Sequence, residues 1–299
     1  MVKLRDLQYL LAIAEHKHFG RAADSCFVSQ PTLSSQIMKL EEQLGLQLIE
    51  RHRRGVLLTP EGDALVVKAR SVILAAKDFE ESANLLLDPF AGERHIGLIP
   101  TLAPYLLPHI MEPMNQALPK VDFFLYEEKT SKLLEDLNSG KLDLLILPWL
   151  DDMQGFEHVN LFSEDLVLAV HASHPLAQKD KSSLADLRGM PVLNLEDGHC
   201  LRDQALDFCS SAGASEDVRF QATSLETLRY MVASNMGITL LPKLATLQMP
   251  AISSLVYVPF KAPIPRREIV LLTRPNYIRV DAVQKIVDVI QKAAVKALK

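Results

Sequence analysis

The chain is short of cysteine, glycine and long apolar runs, and each shortage excludes a class of protein. Three cysteines among 299 residues, an odd number, exclude a secreted scaffold held together by disulfides. Twelve glycines and 17 prolines exclude a fibrous or low-complexity chain. No apolar run approaches the roughly 18 residues of a membrane span, and the run from Tyr9 to Ala14 is too short for a secretion signal. We therefore expect a globular cytoplasmic protein with reduced thiols and no membrane partner.

A net positive charge is also missing, which taken alone argues against nucleic-acid binding. The chain holds 37 acidic and 32 basic residues, a formal net charge of −5. The charge is unevenly distributed, however, because residues 1–59 hold eight Lys or Arg against six Asp or Glu, a net charge of +2. The rest of the chain is acidic, with a net charge of −3 in residues 60–88 and of −4 in residues 89–299. We therefore look for a DNA-binding surface only in the first 59 residues.

This basic segment has the pattern of a winged helix-turn-helix. Apolar residues at helical spacing predict a first helix over Leu4–Ala14, and Phe19–Cys26 predicts a second helix of about two turns. Ser29, followed closely by a proline, is a helix start signal, and Gly45 ends the third helix. Residues 46–58 have the pattern of a small two-stranded ribbon with a basic tip.

The third helix has one apolar face and one face of short polar side chains, which suits entry into the major groove of double-stranded DNA. Arginines at the ribbon tip would neutralise backbone phosphates, so binding would weaken as salt rises. For each residue taken alone, an ordinary solvated surface is the alternative. The residues predicted to contact DNA are Ser29, Gln30, Pro31, Thr32, Ser35, Gln36, Lys39, Arg51, Arg53 and Arg54.

A long helix is predicted after the ribbon. Thr59-Pro60-Glu61 is a start signal, and no breaker follows until Asp88-Pro89, so the helix has about 28 residues and a length of roughly 42 Å. Large and small side chains alternate along one seam at spacings of four and three residues. We predict dimerisation along this seam, with packing against the same chain as the alternative. The seam residues are Leu65, Ala69, Val72, Ala76, Phe79, Ala83 and Leu86.

Residues 91–299 alternate between strand and helix patterns, which predicts an α/β domain with a parallel sheet and helices on both faces. The order of the elements suggests two lobes with a crevice between them. Lobe I takes about residues 91–163 and 268–299, and lobe II about residues 164–267. Strands are predicted at His95–Pro100, Val121–Tyr126, Leu142–Leu147, Phe162–His171, Ile238–Leu241 and Ile269–Thr273.

Four motifs, in order, carry a resemblance to the LysR-type transcriptional regulators: LQYL at 7–10, FGRAA at 19–23, VSQPTLS at 28–34 and TPEG at 59–62. The remainder is similar to the two-lobed effector domain of that family, which is of the periplasmic-binding-protein type. The resemblance covers essentially the whole chain and implies a regulator that binds promoter DNA and contacts RNA polymerase. It implies a winged helix-turn-helix at 1–59, a linker and dimerisation helix at 60–88, and a regulatory domain at 91–299.

A second set of strings resembles the members of that family that sense hydrogen peroxide: GLIPT at 97–101, LEDGHCLRDQA at 195–205 and ATSLETL at 222–228. This resemblance implies a homotetramer, a dimer of dimers, that activates antioxidant genes. It also implies a redox-active disulfide between Cys200, which reacts with peroxide, and Cys209, which resolves the product. A peroxide pocket is implied at Thr101, Thr130, His199 and Arg267.

The residues around the cysteines fit such a switch. Cys200 precedes a helical pattern, and the positive end of a helix dipole favours the thiolate that attacks peroxide. His199 and Arg202 would add positive charge, whereas nearby acids would oppose it. Cys209 lies on the apolar face of the same helix, and Cys26 is interpreted as structural. Nine residues of helix separate two Cα atoms by about 13.5 Å, whereas a disulfide needs about 4.4–6.8 Å, so the bond requires unwinding.

Two other functions stay open at this point. A regulator of the same family could bind a small organic effector between its lobes, which would leave the cysteines structural. A cysteine peroxidase would turn over with a reductant. We expect no enzyme, since no nucleophile motif such as GxSxG occurs. Neither a cofactor nor a metal is expected, because His199-Cys200 lacks a second ligand pair and no CxxC occurs.

Overall fold

The computed structural model describes residues 1–52, 55–247 and 250–298, and the chain divides into two compact units, Met1–Leu87 and Asp88–Lys299. The first unit consists of helices around a short ribbon. Its elements are α1 (Leu4–His16), α2 (Phe19–Ser25), α3 (Gln30–Leu44), β1 (Ile49–His52), β2 (Gly55–Leu58) and α4 (Pro60–Leu87).

Local signals explain where these helices begin and end. The Ser29 hydroxyl accepts a hydrogen bond from the Thr32 backbone N–H (3.4 Å) and caps α3, and Gly45, at φ +69°, ends it in the left-handed region that glycine favours. The Thr59 hydroxyl accepts from the Gly62 N–H at 3.0 Å and caps α4. Strands β1 and β2 pair as an antiparallel ribbon. The predicted winged helix-turn-helix is therefore confirmed.

The second unit alternates strands and helices, with three short 3₁₀ segments within the described residues. Its elements are β3 (Ala91–Leu98), α5 (Ala103–Ala117), β4 (Lys120–Glu127), α6 (Thr130–Asn138), β5 (Leu144–Pro148), β6 (Glu157–His171), β7 (Pro191–Leu195), α7 (Cys200–Ser211), β8 (Ser215–Ala222), α8 (Leu225–Ala233), β9 (Thr239–Pro242), α9 (Leu244–Leu247), β10 (Leu255–Val258), β11 (Arg266–Thr273) and α10 (Val280–Leu298). The 3₁₀ segments are Asp151–Met153, Pro175–Gln178 and Leu184–Leu187.

One long strand links the sheets of the two lobes. The main sheet has the order β10-β6-β11-β5-β3-β4, and β9 also pairs with β6. Strand β6 pairs with β11 as far as Asp165, and from Leu166 onward with β9 and then also with β10. Strands β7 and β8 form a separate parallel pair. The same 15-residue strand therefore belongs to lobe I at its start and to lobe II at its end.

The predicted parallel sheet is found only in the strands of the βαβ units, because the sheet as a whole is mixed. Strand β3 is parallel to β4 and β5, as βαβ connections require. Strand β11 instead returns to lobe I from lobe II and inserts antiparallel between β5 and β6. Strands β7, β8 and β10 were not predicted. Helix α10 packs against α5 and β6, and α6 packs against β5.

Buried polar side chains interrupt the mostly apolar core of the second unit in several places. Most buried residues of the second unit are aliphatic, yet Thr101, Thr130, Glu164, His199 and Arg267 are also buried. Buried polar groups are costly unless they are paired, so a group of them beside a buried cysteine is a candidate functional site. Within the ranges described, no helix combines the length and the apolar content that a membrane crossing needs.

Candidate functional site

The outer face of α3 presents the side chains that were predicted to contact DNA. Leu33, Ile37 and Leu40 are buried in the core of the first unit, called the DNA-binding head below, and they fix the orientation of the helix. Among the predicted residues of α3 and its cap, five are exposed and two are half-buried. The exposed ones are Ser29, Gln30, Pro31, Thr32 and Lys39, and the half-buried ones are Ser35 and Gln36.

Only part of the ribbon tip lies within the described residues. Arg51 belongs to β1, but its side chain is not described, and Arg53 and Arg54 lie outside the described residues. The Ser29 and Thr32 hydroxyl oxygens lie 2.8 Å apart and bond to each other at the start of α3. This bond orients both hydroxyls at the N-terminus of α3, and in helix-turn-helix proteins the N-terminal residues of the recognition helix contact base edges.

The seam of α4 divides into two parts. Ala69 is buried against the core of its own head, and Leu65 packs on that core in part. Beyond them Val72 is 45% exposed, Phe79 is 78% exposed and Ala83 is exposed, while Ala76 is half-buried and the Leu86 side chain is not described. The self-packing alternative therefore accounts for the first turns of the seam, whereas the later turns are uncovered in this unit.

Cys200 is the first residue of α7, and its side chain is buried. Burial raises the pKa of this thiol above its ordinary value, since water no longer stabilises the thiolate. The Thr130 hydroxyl, the charge of Arg267 and the Leu201 backbone N–H each lower the pKa but do not offset the burial. The start of α7 was expected to favour the thiolate through the helix dipole, and in the structure the burial of this helix end opposes that effect.

This upward shift gives a pH dependence. Because the thiolate attacks peroxide and the thiol predominates below the pKa, the rate constant for Cys200 oxidation should rise about tenfold per pH unit from pH 6 to pH 8. The rate is measured as loss of the Cys200 thiol in the Cys209→Ser variant, which isolates the first step. A plateau that begins below pH 7 would mean that the thiolate already predominates there.

The Arg267 charge that acts on the Cys200 thiol belongs to a buried ion pair with Glu164. Arg267 donates from Nε to Glu164 Oε2 at 2.8 Å, and its NH2 nitrogen reaches the same oxygen at 2.8 Å. Arg267 also donates to the Thr101 hydroxyl at 3.2 Å and to the Thr101 carbonyl at 3.1 Å. The other Glu164 oxygen accepts from the Leu244 backbone N–H at 2.8 Å. The predicted Arg267 and Thr101 are thus one hydrogen-bonded unit.

Sequence reasoning missed Glu164. It pairs in register with Arg267 across β6 and β11, and its side chain is fully buried. An acid next to the apolar half of a strand was the available signal, and the charged partner could not be assigned before the pairing of β6 with β11 was known.

The Thr130 hydroxyl faces the thiol and is otherwise unsatisfied. Thr130 is the first residue of α6, and it is buried. Its oxygen lowers the pKa of Cys200, yet it makes no hydrogen bond of ordinary geometry to any described residue. A buried hydroxyl normally has a partner, so this group is available to a small polar molecule that enters beside Cys200.

A charged shell surrounds the loop before Cys200. Lys129 Nζ lies 2.5 Å from Glu196 Oε1 and donates to the Asp197 carbonyl at 3.1 Å. Burial, with the nearby Lys129 charge, lowers the pKa of His199, so this residue is neutral at physiological pH. Arg202 pairs with carboxylates, in a bidentate contact with Glu216 at 3.1 Å for each bond and with Asp197 at 2.8 Å, and its charge is not among those that shift the pKa of Cys200. The suggested contribution of Arg202 to the thiolate is therefore not supported.

Helix α7 keeps the two cysteines apart. It runs unbroken from Cys200 to Ser211, so the Cα atoms of Cys200 and Cys209 are separated by about 13.5 Å. All three cysteines are free, and burial raises the pKa of Cys209 to about 11. Cys26 is half-buried in the head. Within the described residues, no group of three His, Cys, Asp or Glu side chains could hold a metal ion.

The first unit is a winged helix-turn-helix, and the second is a two-lobed α/β unit with buried thiols. Proteins with this combination form a class of DNA-binding regulators in which the second unit receives a signal. A family model described as LysR substrate binding domain matches residues 88–295, and one described as bacterial regulatory helix-turn-helix protein, lysR family, matches residues 4–63. The chain belongs to the LysR family.

Within this family the chain is similar to OxyR proteins. It is 52% identical over 275 residues to the DNA-binding transcriptional dual regulator OxyR of Escherichia coli K12, a match that covers 92% of this chain and 90% of the relative. A full-length cysteine-to-aspartate OxyR from Pseudomonas aeruginosa has a TM-score of 0.79 at 33% identity, covering 97% of this chain and 95% of that chain. An H₂O₂-bound cysteine-to-serine OxyR from Corynebacterium glutamicum has a TM-score of 0.69 at 32% identity, and the match covers 99% of this chain and 94% of that chain.

Proposed function

We propose that the protein is a DNA-binding transcriptional regulator that senses hydrogen peroxide through Cys200 and Cys209 and activates antioxidant genes. One observation carries the proposal: two free thiols lie nine residues apart on one helix, and the first of them faces an unsatisfied hydroxyl and a buried guanidinium. The similarity to OxyR proteins, one of them solved with H₂O₂ bound, supports the same reading.

The proposed chemistry consumes one peroxide per subunit. The Cys200 sulfur attacks one peroxide oxygen, the O–O bond breaks, and the products are a sulfenic acid and water. The Cys209 sulfur then attacks the Cys200 sulfur and displaces the hydroxyl group, which leaves as a second water. Two thiols are oxidised to a disulfide and one peroxide is reduced to two waters. No metal or cofactor enters these steps, and the protein is not an enzyme, since it does not turn over by itself.

Four residues are proposed to hold the peroxide. Thr130 offers a hydroxyl that faces the Cys200 thiol and is otherwise unsatisfied, and Thr101 offers one that Arg267 already orients. Arg267 supplies the positive charge that stabilises the thiolate and the departing hydroxide. The neutral His199 ring, next to Cys200 in the chain, retains one N–H donor. This set binds both oxygens of a small polar molecule in a site that excludes bulk water.

Disulfide formation requires α7 to unwind. The two Cα atoms must approach from about 13.5 Å to at most about 6.8 Å, which no rotamer change accomplishes. Unwinding takes Leu201 and Ala205 out of the core and strains the pairing of Arg202 with Glu216. The disulfide therefore changes the surface of the regulatory domain, and this change alters how the domains pair and how the DNA-binding heads are spaced.

The output is proposed to be a homotetramer, a dimer of dimers, on promoter DNA. An apolar groove in the head, bordered by the exposed Leu4, Leu44 and Val72, is continuous with the uncovered seam of α4, and a second copy would cover both. Helix α3 would enter the major groove, and the ribbon arginines would contact phosphates. Contact with RNA polymerase would then activate transcription, in the cytoplasm, where bacterial DNA is found.

Footprinting of reduced and oxidised protein on one promoter tests this proposal. We expect both forms to protect DNA, with a different spacing of protected segments, because the change lies in the regulatory domain and not in α3. The Cys200→Ser variant should give the reduced pattern with or without peroxide. If oxidation changes neither the footprint nor transcription in vitro, the disulfide is not the signal, and an effector bound between the lobes becomes the better explanation.

A further inference from the structure

Lys129 joins lobe I to the loop that carries Cys200. It lies just before α6, and its ammonium group contacts the Glu196 carboxylate at 2.5 Å and the Asp197 carbonyl at 3.1 Å. These two partners belong to the segment between β7 and α7. The next residue along the chain, Thr130, faces the Cys200 thiol. Two adjacent residues of lobe I therefore hold the loop and contact the thiol.

The Lys129 side chain lies flat on this loop because the loop has a glycine there. Gly198 has φ +90°, in the left-handed region, and a Cβ atom at this position would lie 3.1 Å from Lys129 Cδ. Any side chain at Gly198 would displace the lysine stem. The close approach is thus specific to the present loop conformation, in which Cys200 begins α7.

The charges of this contact are complementary and partly shielded. The Lys129 and Glu196 side chains are 40% and 34% exposed, so the pair is neither fully solvated nor buried. The hydrogen bond from Lys129 holds the pKa of Glu196 below its ordinary value, and His199 Nε2 lies 4.0 Å from the same carboxylate oxygen. A contact of this kind stabilises a protein modestly, and the stabilisation decreases as salt rises.

We infer that Lys129 is a positioning residue that stabilises the dithiol form, because it holds the loop in the conformation from which Cys200 cannot reach Cys209. The inference rests on the proposed function. Cys200 is the first residue of α7 and directly follows the loop, so unwinding from this end moves Cys200 and the residues directly before it. That movement separates Gly198 and Asp197 from Lys129. The contact is present in the dithiol and lost in the disulfide, so it shifts the equilibrium toward the dithiol.

Redox titration of the full-length protein against reduced and oxidised glutathione tests the inference. Lys129→Met should shift the equilibrium constant about fivefold toward the Cys200–Cys209 disulfide, which is about 20 mV at about 30 mV per tenfold change. Lys129→Arg should restore most of the wild-type value. Lys132→Met is the matched control, since Lys132 is exposed to a similar extent and pairs with Asp136 and Glu135 on its own helix instead of with the loop before Cys200. It should leave the equilibrium unchanged.

Thermal unfolding of both redox forms separates this role from a general structural one. Lys129→Met should lower the Tm of the dithiol form and leave that of the disulfide form unchanged. An equal loss in both forms, or no shift in the titration, overturns the inference. The wild-type arm tests the proposed function separately, because a wild-type protein that forms no Cys200–Cys209 disulfide would refute the switch itself, whatever Lys129 does.

Discussion

Replacement of Cys200 by serine should abolish the response to peroxide and leave DNA binding intact. Wild-type protein should lose two of its three thiols after one equivalent of peroxide, whereas Cys200→Ser should lose none at the same dose. The physical reason is that the Thr130 hydroxyl and the Arg267 charge oppose the effect of burial on the pKa of Cys200, whereas burial alone acts on Cys209 and raises its pKa to about 11. Serine is close in size to cysteine, so α7 should keep its start and the DNA-binding head should be unaffected. Thiol titration and mass spectrometry measure this outcome.

Cys209→Ser and Cys26→Ser are the controls for this experiment. Cys209→Ser should stop at the sulfenic acid of Cys200, which a sulfenic-acid reagent traps, and α7 should stay helical because no second sulfur draws Cys200 away. Cys26→Ser should behave as wild type, since this half-buried residue belongs to the head. Loss of the wild-type response in Cys26→Ser, or an intact response in Cys200→Ser, would contradict the assignment of the sensing thiol. Repeated turnover of peroxide with a reductant would instead support a peroxidase.

Replacement of Arg267 by methionine should have the largest effect on stability, because it leaves the fully buried Glu164 carboxylate without its partner. Breaking such a pair costs about 3–5 kcal/mol, since the remaining charge cannot be solvated. The same change removes the hydrogen bonds to Thr101 and the charge that lowers the pKa of Cys200. Unfolding by urea should show the lost stability, and thiol loss with peroxide should be slower than in the wild type.

The double variant Arg267→Met with Glu164→Leu separates these two effects. With both charges gone and the volume filled by apolar side chains, most of the lost stability should return, because a buried pair often contributes little beyond an apolar replacement. The oxidation of Cys200 should remain slow, since the guanidinium is still missing. If the single variant costs less than about 1 kcal/mol, the pair is not the structural centre of the site. If the double variant regains fast oxidation, Arg267 does not assist the thiol.

Local sequence patterns predicted the elements that carry the site. The cap at Ser29 and the glycine at position 45 delimit α3, and the start signal at Thr59 begins α4, because capping needs only neighbouring residues. The helical pattern after Cys200 predicted α7, and with it the separation of the two thiols. Periodicity depends on contacts within a few residues, so the sequence shows it directly.

The pKa of Cys200 and the partners of Arg267 could not be predicted in this way. Both depend on which segments pack together: Glu164 reaches Arg267 only because β11 returns from lobe II beside β6. The same return makes the sheet mixed, although consecutive βαβ patterns predict a parallel one. Lys129 and Glu196 are 67 residues apart in the chain and meet only in the folded protein.

The sequence by itself determined the winged helix-turn-helix, the alternation of strands and helices in the second unit, and the family to which the chain belongs. It also determined that Cys200 and Cys209 are separated by a helix, because that follows from spacing alone. Only the tertiary structure decided that the Cys200 thiol is buried, that Glu164 pairs with Arg267, and that Lys129 contacts the loop before Cys200. These properties arise from burial and from charges brought together across the chain, which depend on the folded arrangement.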